Sequence, residues 1–222
     1  LRRVQRQRAE ARRGGDRRAH ARLRVGRAPG GRAQGHRVLH PPPWQPDDVL
    51  AVVDGISAAL TVLHRSGIVH RDVKPANVLA VMDRDTVVDV KLTDFGSVLQ
   101  LNAERTAVHR VGSLTYISPE QLDGAEIDAR ADMYSLAAVL YHLIAGRPPF
   151  EGPTQAALMH QVFNEQPGPL GKLRDGVPAS LEALLQRALE KDPADRPANW
   201  DEFAQSLAGV ISRREVPRGK LQ

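Results

Sequence analysis

Residues 70–79 read His-Arg-Asp-Val-Lys-Pro-Ala-Asn-Val-Leu. Within a few positions this run sets a carboxylate (Asp72), a cation (Lys74) and a side-chain amide (Asn77). A positioned carboxylate orients an attacking hydroxyl and takes its proton. An amide oxygen is a hard ligand of the kind magnesium prefers. A second carboxylate follows in Thr93-Asp94-Phe95-Gly96. These are the groups that phosphoryl transfer calls for, because its transition state spreads negative charge over the transferring oxygens and is stabilised by positioning and electrostatics.

Such groups need elements to hold them. Val78–Val81 and Val87–Leu92 read as short strands around a turn at Asp83-Arg84-Asp85, and the hairpin would bring Asp72 and Asp94 toward one small volume. Ahead of the loop, Val49, Leu50, Val53, Ile56, Leu60 and Leu63 recur at helical spacing. That pattern predicts a helix over 47–65, with Asp47 as N-cap and Gly67 as the stop. Beyond the hairpin, Met133, Leu136, Val139, Leu140, Leu143 and Ile144 mark a strongly apolar helix over 128–145. A shorter helix after Pro153 carries Leu158, Val162 and Phe163, and another starts near Ser180 with Leu181, Leu184, Leu185, Ala188 and Leu189. Asn199 and Glu202 form a capping pair before Phe203, Leu207, Val210 and Ile211. These apolar stripes are core.

The ordered motifs resemble the large lobe of a eukaryotic-type serine/threonine protein kinase of the bacterial branch. His70–Asn77 resembles the catalytic loop and Asp94-Phe95-Gly96 the metal-binding motif. Gly112–Glu120 resembles the end of the activation segment, with Ser118 where the family usually has Ala. Asp132–Leu136, Arg147–Phe150 and Asp195-Arg196-Pro197 complete the set, and the match covers about residues 45–211. The resemblance implies a mainly α fold with a small β-hairpin at the catalytic loop, and ATP and Mg2+ as cofactors. It also implies protein substrates with Ser/Thr acceptors and a cytoplasmic setting. By the same resemblance Asp72 would orient the substrate hydroxyl, Lys74 would contact the γ-phosphate, and Asn77 and Asp94 would hold magnesium. Leu79 would floor the adenine, and Arg71 would pair with a phosphorylated residue, Thr106 being the first candidate. Ser113 would contact the catalytic carboxylate, Glu120 and Arg196 would form a buried ion pair, and Asp132 would bond the loop backbone. His70 reads as a packed structural residue, and His64, His109, His142 and His160 show no metal-ligand spacing.

Charge is unevenly distributed. Residues 1–46 hold 13 arginines against Glu10 and Asp16, a balance of +11 within a whole-chain net charge of +5. Arg, Ala, Gly and Pro make up 29 of the first 43 residues, with no helical or strand period. Such a segment buries too little surface to offset its ordering entropy. Residues 1–45 therefore read as a disordered tail, as an out-of-frame stretch of a GC-rich gene, or as a basic arm for nucleic acid. The arm has no lysine and no aromatic before Trp44, hence no stacking platform, and no specific nucleic acid is expected. Residues 46–212 form the expected folded domain, and 213–222 a tail. The chain has no cysteine, which excludes disulfides and thiolate chemistry. No apolar run is long enough to span a membrane.

A kinase of this kind also has a small β lobe with a glycine-rich loop and a strand lysine. Residues 1–46 have no G-x-G-x-x-G, and the first lysine in the sequence is Lys74. The expectation is a domain without its small lobe and with negligible activity alone. A non-catalytic kinase-derived interaction module is the alternative.

Overall fold

The computed structural model describes residues 35–38, 46–83, 86–95, 99–100 and 114–212. In chain order they form strand β1 (Gly35–Val38), helix α1 (Pro46–Arg65), and strands β2 (Ile68–Val69), β3 (Val78–Asp83), β4 (Thr86–Leu92) and β5 (Leu99–Gln100). Helices α2 (Pro119–Asp123), α3 (Ala129–Ala145), α4 (Gln155–Asn164), α5 (Leu170–Leu173), α6 (Ala179–Ala188) and α7 (Trp200–Ser212) follow. Single 3-10 turns lie at Pro75–Asn77, Leu114–Tyr116 and Pro193–Asp195. The described residues belong to one compact unit, Gln34–Gln222. Mainly helical, with its strands gathered near the loop at residues 70–77, this is the architecture the sequence implied.

Helix α3 is the axis of the core. Every residue from Ala131 to Leu143 is buried, because its apolar side chains run all the way round instead of along one stripe. Asp128 caps it by accepting the Arg130 N–H at 2.7 Å, and Gly146 closes it at φ 76°. Helices α1, α6 and α7 pack against it. Helix α7 has the capping pair read from the sequence: the Glu202 N–H donates to Asn199 Oδ1 at 2.9 Å, and Glu202 Oε2 accepts the Ala198 N–H at 3.0 Å. The Trp200 indole N–H donates to Thr61 Oγ1 at 2.7 Å and ties α7 to α1.

Helix α1 begins at Pro46, one residue before the expected cap at Asp47, because proline suits a first turn whose N–H groups lack helical partners. It stops as expected at Gly67, whose φ is 70° and whose N–H reaches the His64 carbonyl at 3.0 Å. The helix lies against β4 at Gly55, where a Cβ would fall 2.6 Å from Val90 Cβ. No residue but glycine fits that approach.

Strands β3 and β4 form the expected antiparallel hairpin, Val78 opposite Leu92 and Leu79 opposite Lys91. A third strand, β1, pairs antiparallel with β3 from Gly35↔Met82 to Val38↔Leu79, giving the order β1-β3-β4. The sequence pattern leaves Gly35–Val38 in the basic tail. Four residues are too few to show alternation, and their partner lies beyond the whole of α1. Strands β2 and β5 make a second small sheet. Among the described residues no helix is long and apolar enough to cross a membrane.

Candidate active site

From β2 the chain enters the loop at His70, and a buried carboxylate fixes its path. Asp132, in the first turn of α3 and fully buried, accepts the His70 N–H through Oδ2 and the Arg71 N–H through Oδ1, both at 2.8 Å. His64 Nε2 lies 2.8 Å from the same Oδ2. A buried carboxylate is costly unless donors surround it, and here three do. They hold Arg71 at φ 68°, a left-handed conformation that costs about 1–2 kcal/mol for a residue with a Cβ.

His70 is fully buried. Its Nδ1 accepts the Asp72 N–H at 3.3 Å and its Nε2 pairs with the Thr93 carbonyl at 3.2 Å, a pattern that assigns a neutral ring protonated on Nε2. Burial pushes its pKa below 6.5, against the opposing pull of the Asp132, Asp72 and Asp94 carboxylates. Both carboxylates of the two motifs therefore lie within electrostatic reach of one imidazole, as the hairpin required.

Asp72 is the focus of the loop. Lys74 Nζ donates to Asp72 Oδ2 at 2.7 Å. Asn77, buried in the 3-10 turn, donates through Nδ2 to the same Oδ2 at 2.9 Å and to the Asp72 carbonyl at 2.8 Å. Its own carbonyl accepts the Thr93 N–H at 2.8 Å and the Thr93 hydroxyl at 3.0 Å. That fastens the 70–77 loop to the residue before Asp94. Asp94 is exposed at φ 62°, and the Phe95 ring lies edge-on to His70 at 5.4 Å. Leu79, half-buried, sits in the middle strand of the sheet between Val38 and Lys91.

The segment beyond is anchored by Arg196 and Glu120. Arg196 forms a bidentate pair with Glu120 at 2.7 and 2.8 Å, and its other N–H groups donate to the Arg130, Glu190 and Lys191 carbonyls. All five guanidinium donors are used, and the face of Tyr134 lies 5.0 Å from its central carbon.

The structure thus gathers Asp72, Lys74 and Asn77 into direct contact and joins Asp94 to them through Thr93. Asp132 bonds the loop backbone, with Arg71 and Leu79 at its borders, and Glu120 pairs with Arg196. Thr106 and Ser113 lie outside the described residues. Two residues escaped the sequence reading. His64 continues the buried stripe of α1 and partners Asp132, and a histidine at the end of an apolar stripe was the available signal. Gln121 stands three residues after Ser118, the capping-box spacing, and its Nε2 reaches the Arg71 carbonyl at 2.9 Å.

The pattern of the protein kinase domain matches residues 35–207, beginning at the first residue of β1. The chain belongs to that family. It is 37% identical over 182 residues to serine/threonine-protein kinase PknB of Mycobacterium leprae, covering 79% of this chain and 28% of that protein. Serine/threonine-protein kinase PknB of Mycobacterium tuberculosis is 36% identical over 172 residues, covering 76% and 27%. A probable serine/threonine-protein kinase PknB of Corynebacterium glutamicum is 36% identical over 181 residues, covering 78% and 27%. The chain spans little more than a quarter of the length of these curated relatives.

Proposed function

We propose that the chain carries the large-lobe half of a serine/threonine protein kinase site, transferring a γ-phosphoryl group from magnesium-ATP to protein hydroxyls. The observation that carries the reading is the convergence of Lys74 and Asn77 on one oxygen of Asp72. Asp72 orients the substrate hydroxyl and accepts its proton, while Lys74 holds a positive charge beside the path of the transferring group. Asn77 braces Asp72 with its nitrogen, which leaves Oδ1 as its ligand atom. That oxygen and the exposed Asp94 carboxylate are hard donors that fit magnesium. Magnesium bound by one or two protein oxygens would take its remaining ligands from phosphate and water. Bound magnesium-ATP supplies the phosphoryl group and neutralises charge on its oxygens.

The 222 residues contain no lysine before Lys74 to pair with the α- and β-phosphates. This polypeptide alone is therefore a poor nucleotide binder with negligible turnover. Titration with magnesium-ATP, followed by NMR, should perturb residues 72–77 and Asp94 weakly, and Asp94→Asn should abolish the response. Perturbations elsewhere, or none, would overturn the site. Robust phosphorylation of a basic protein substrate, lost in Asp72→Asn, would overturn the inactivity while keeping the chemistry.

A further inference from the structure

We propose that Gln121 is a positioning residue for the catalytic loop, linking the turn before α2 to the peptide that carries Asp72; its functional meaning rests on the kinase reading above. The Arg71–Asp72 peptide is held from both sides. Its carbonyl accepts Gln121 Nε2–H at 2.9 Å, and its N–H donates to His70 Nδ1 at 3.3 Å. Arg71 itself is fixed at its own N–H by Asp132 at 2.8 Å. A residue at φ 68° relaxes most directly by rotating the adjoining peptide, and rotating this one re-aims the Asp72 carboxylate. Gln121 and His70 oppose that rotation.

Ser118 sets the direction of the Gln121 amide. Its hydroxyl donates to Gln121 Oε1 at 3.0 Å and its N–H approaches the same oxygen at 3.4 Å. With Oε1 occupied, the amide nitrogen faces Arg71. Ser118 is fully buried and Gln121 is 6% exposed, so neither has water as an alternative partner. Alanine at position 118 would leave Oε1 only the longer backbone contact. The serine that departs from the family's usual alanine thus has a physical task. Glu120, next along the helix, grips Arg196, so two neighbouring side chains of α2 hold different things: Glu120 the buried anchor, Gln121 the loop. A displacement of residues 118–121 is transmitted to the catalytic carboxylate through one amide.

The test is residue-resolved amide exchange and carbonyl 13C NMR on the full chain. Gln121→Glu keeps the shape but replaces the donor with an acceptor. It should speed exchange at the Asp72 amide by about five- to thirtyfold and shift the Arg71 carbonyl resonance, with the Arg196 guanidinium signals unmoved. Ser118→Ala should act in the same direction more weakly, and add little on top of Gln121→Glu. Unchanged exchange at Asp72, or acceleration confined to residues 119–123 as loss of a helix cap alone would give, overturns the proposal. If Gln121→Glu does not fold, Ser118→Ala alone decides by the same two outcomes. The readout needs no nucleotide, so failure of the link and failure of the phosphotransfer reading are told apart.

Discussion

Lys74–Asp72 and Arg196–Glu120 share a shortest contact of 2.7 Å and sit in opposite surroundings. The first is a single bond between side chains 21% and 15% exposed, and Asp72 is shared with Asn77. The second is bidentate, 0% and 6% exposed, and leaves no guanidinium donor unused. A pair that solvent can reach keeps its charges open to another partner, which is the role proposed for Lys74 and Asp72. A pair sealed from water can only hold the protein together. Contact distance alone does not separate the two roles; burial and the count of satisfied donors do.

Substitution should do most damage at the sealed pair. Glu120→Ala leaves an uncompensated guanidinium in the core and should cost about 3–5 kcal/mol. At roughly 2–4 °C of melting temperature per kcal/mol for a unit of this size, calorimetry should show a fall of about 6–20 °C. A fall of a degree or two would mean the anchor is not one. The double replacement Glu120→Leu with Arg196→Met should recover much of the loss, since it removes both charges.

An intermediate effect is expected on acidification. The pKa values of His70 and His142 are both lowered from 6.5, chiefly by burial. The folded state therefore prefers the neutral rings, and their contribution to stability is complete above pH 6.5 and is lost as pH falls through the depressed folded values. Melting temperature should drop below pH 6.5, and a folded His70→Asn variant should show a shallower drop, with His142 supplying the remainder. Equal slopes in both proteins would remove His70 from the account.

Smallest is the effect at the accessible pair. Lys74→Met should change stability by no more than about 1 kcal/mol while weakening the response of residues 72–77 to magnesium-ATP. A large loss of stability instead would show that Lys74 is structural and would erase the contrast with Arg196.

Those outcomes bear on which parts of the molecule its sequence disclosed. Helices α1, α3, α4, α6 and α7 were legible because long apolar stripes at helical spacing carry their own period. The hairpin was legible because β-branched runs flank an acidic turn. The loop residues were legible as a set because their chemistry is concentrated in eight positions. Strand β1 was not, since its backbone pairing with β3 imposes no pattern on Gly-His-Arg-Val. His64 and Gln121 were hidden for a related reason: each acts on a partner far along the chain, Asp132 and Arg71, and long-range contacts leave no periodic trace. Local signals for both were nonetheless present, the histidine on a buried stripe and the Ser-x-x-Gln spacing.

Gly55 illustrates a limit on engineering this domain. Replacing a glycine inside a helix with alanine is a standard way to gain about 0.5–1 kcal/mol. Here the added methyl would meet Val90 Cβ at 2.6 Å and force β4 outward. Strand β4 leads directly into Thr93 and Asp94, and Thr93 is the residue through which Asn77 holds that end of the site. The low helix propensity at one position of α1 is thus what lets the helix and β4 approach so closely, and a better helix former there would disturb the strand that leads to Thr93 and Asp94.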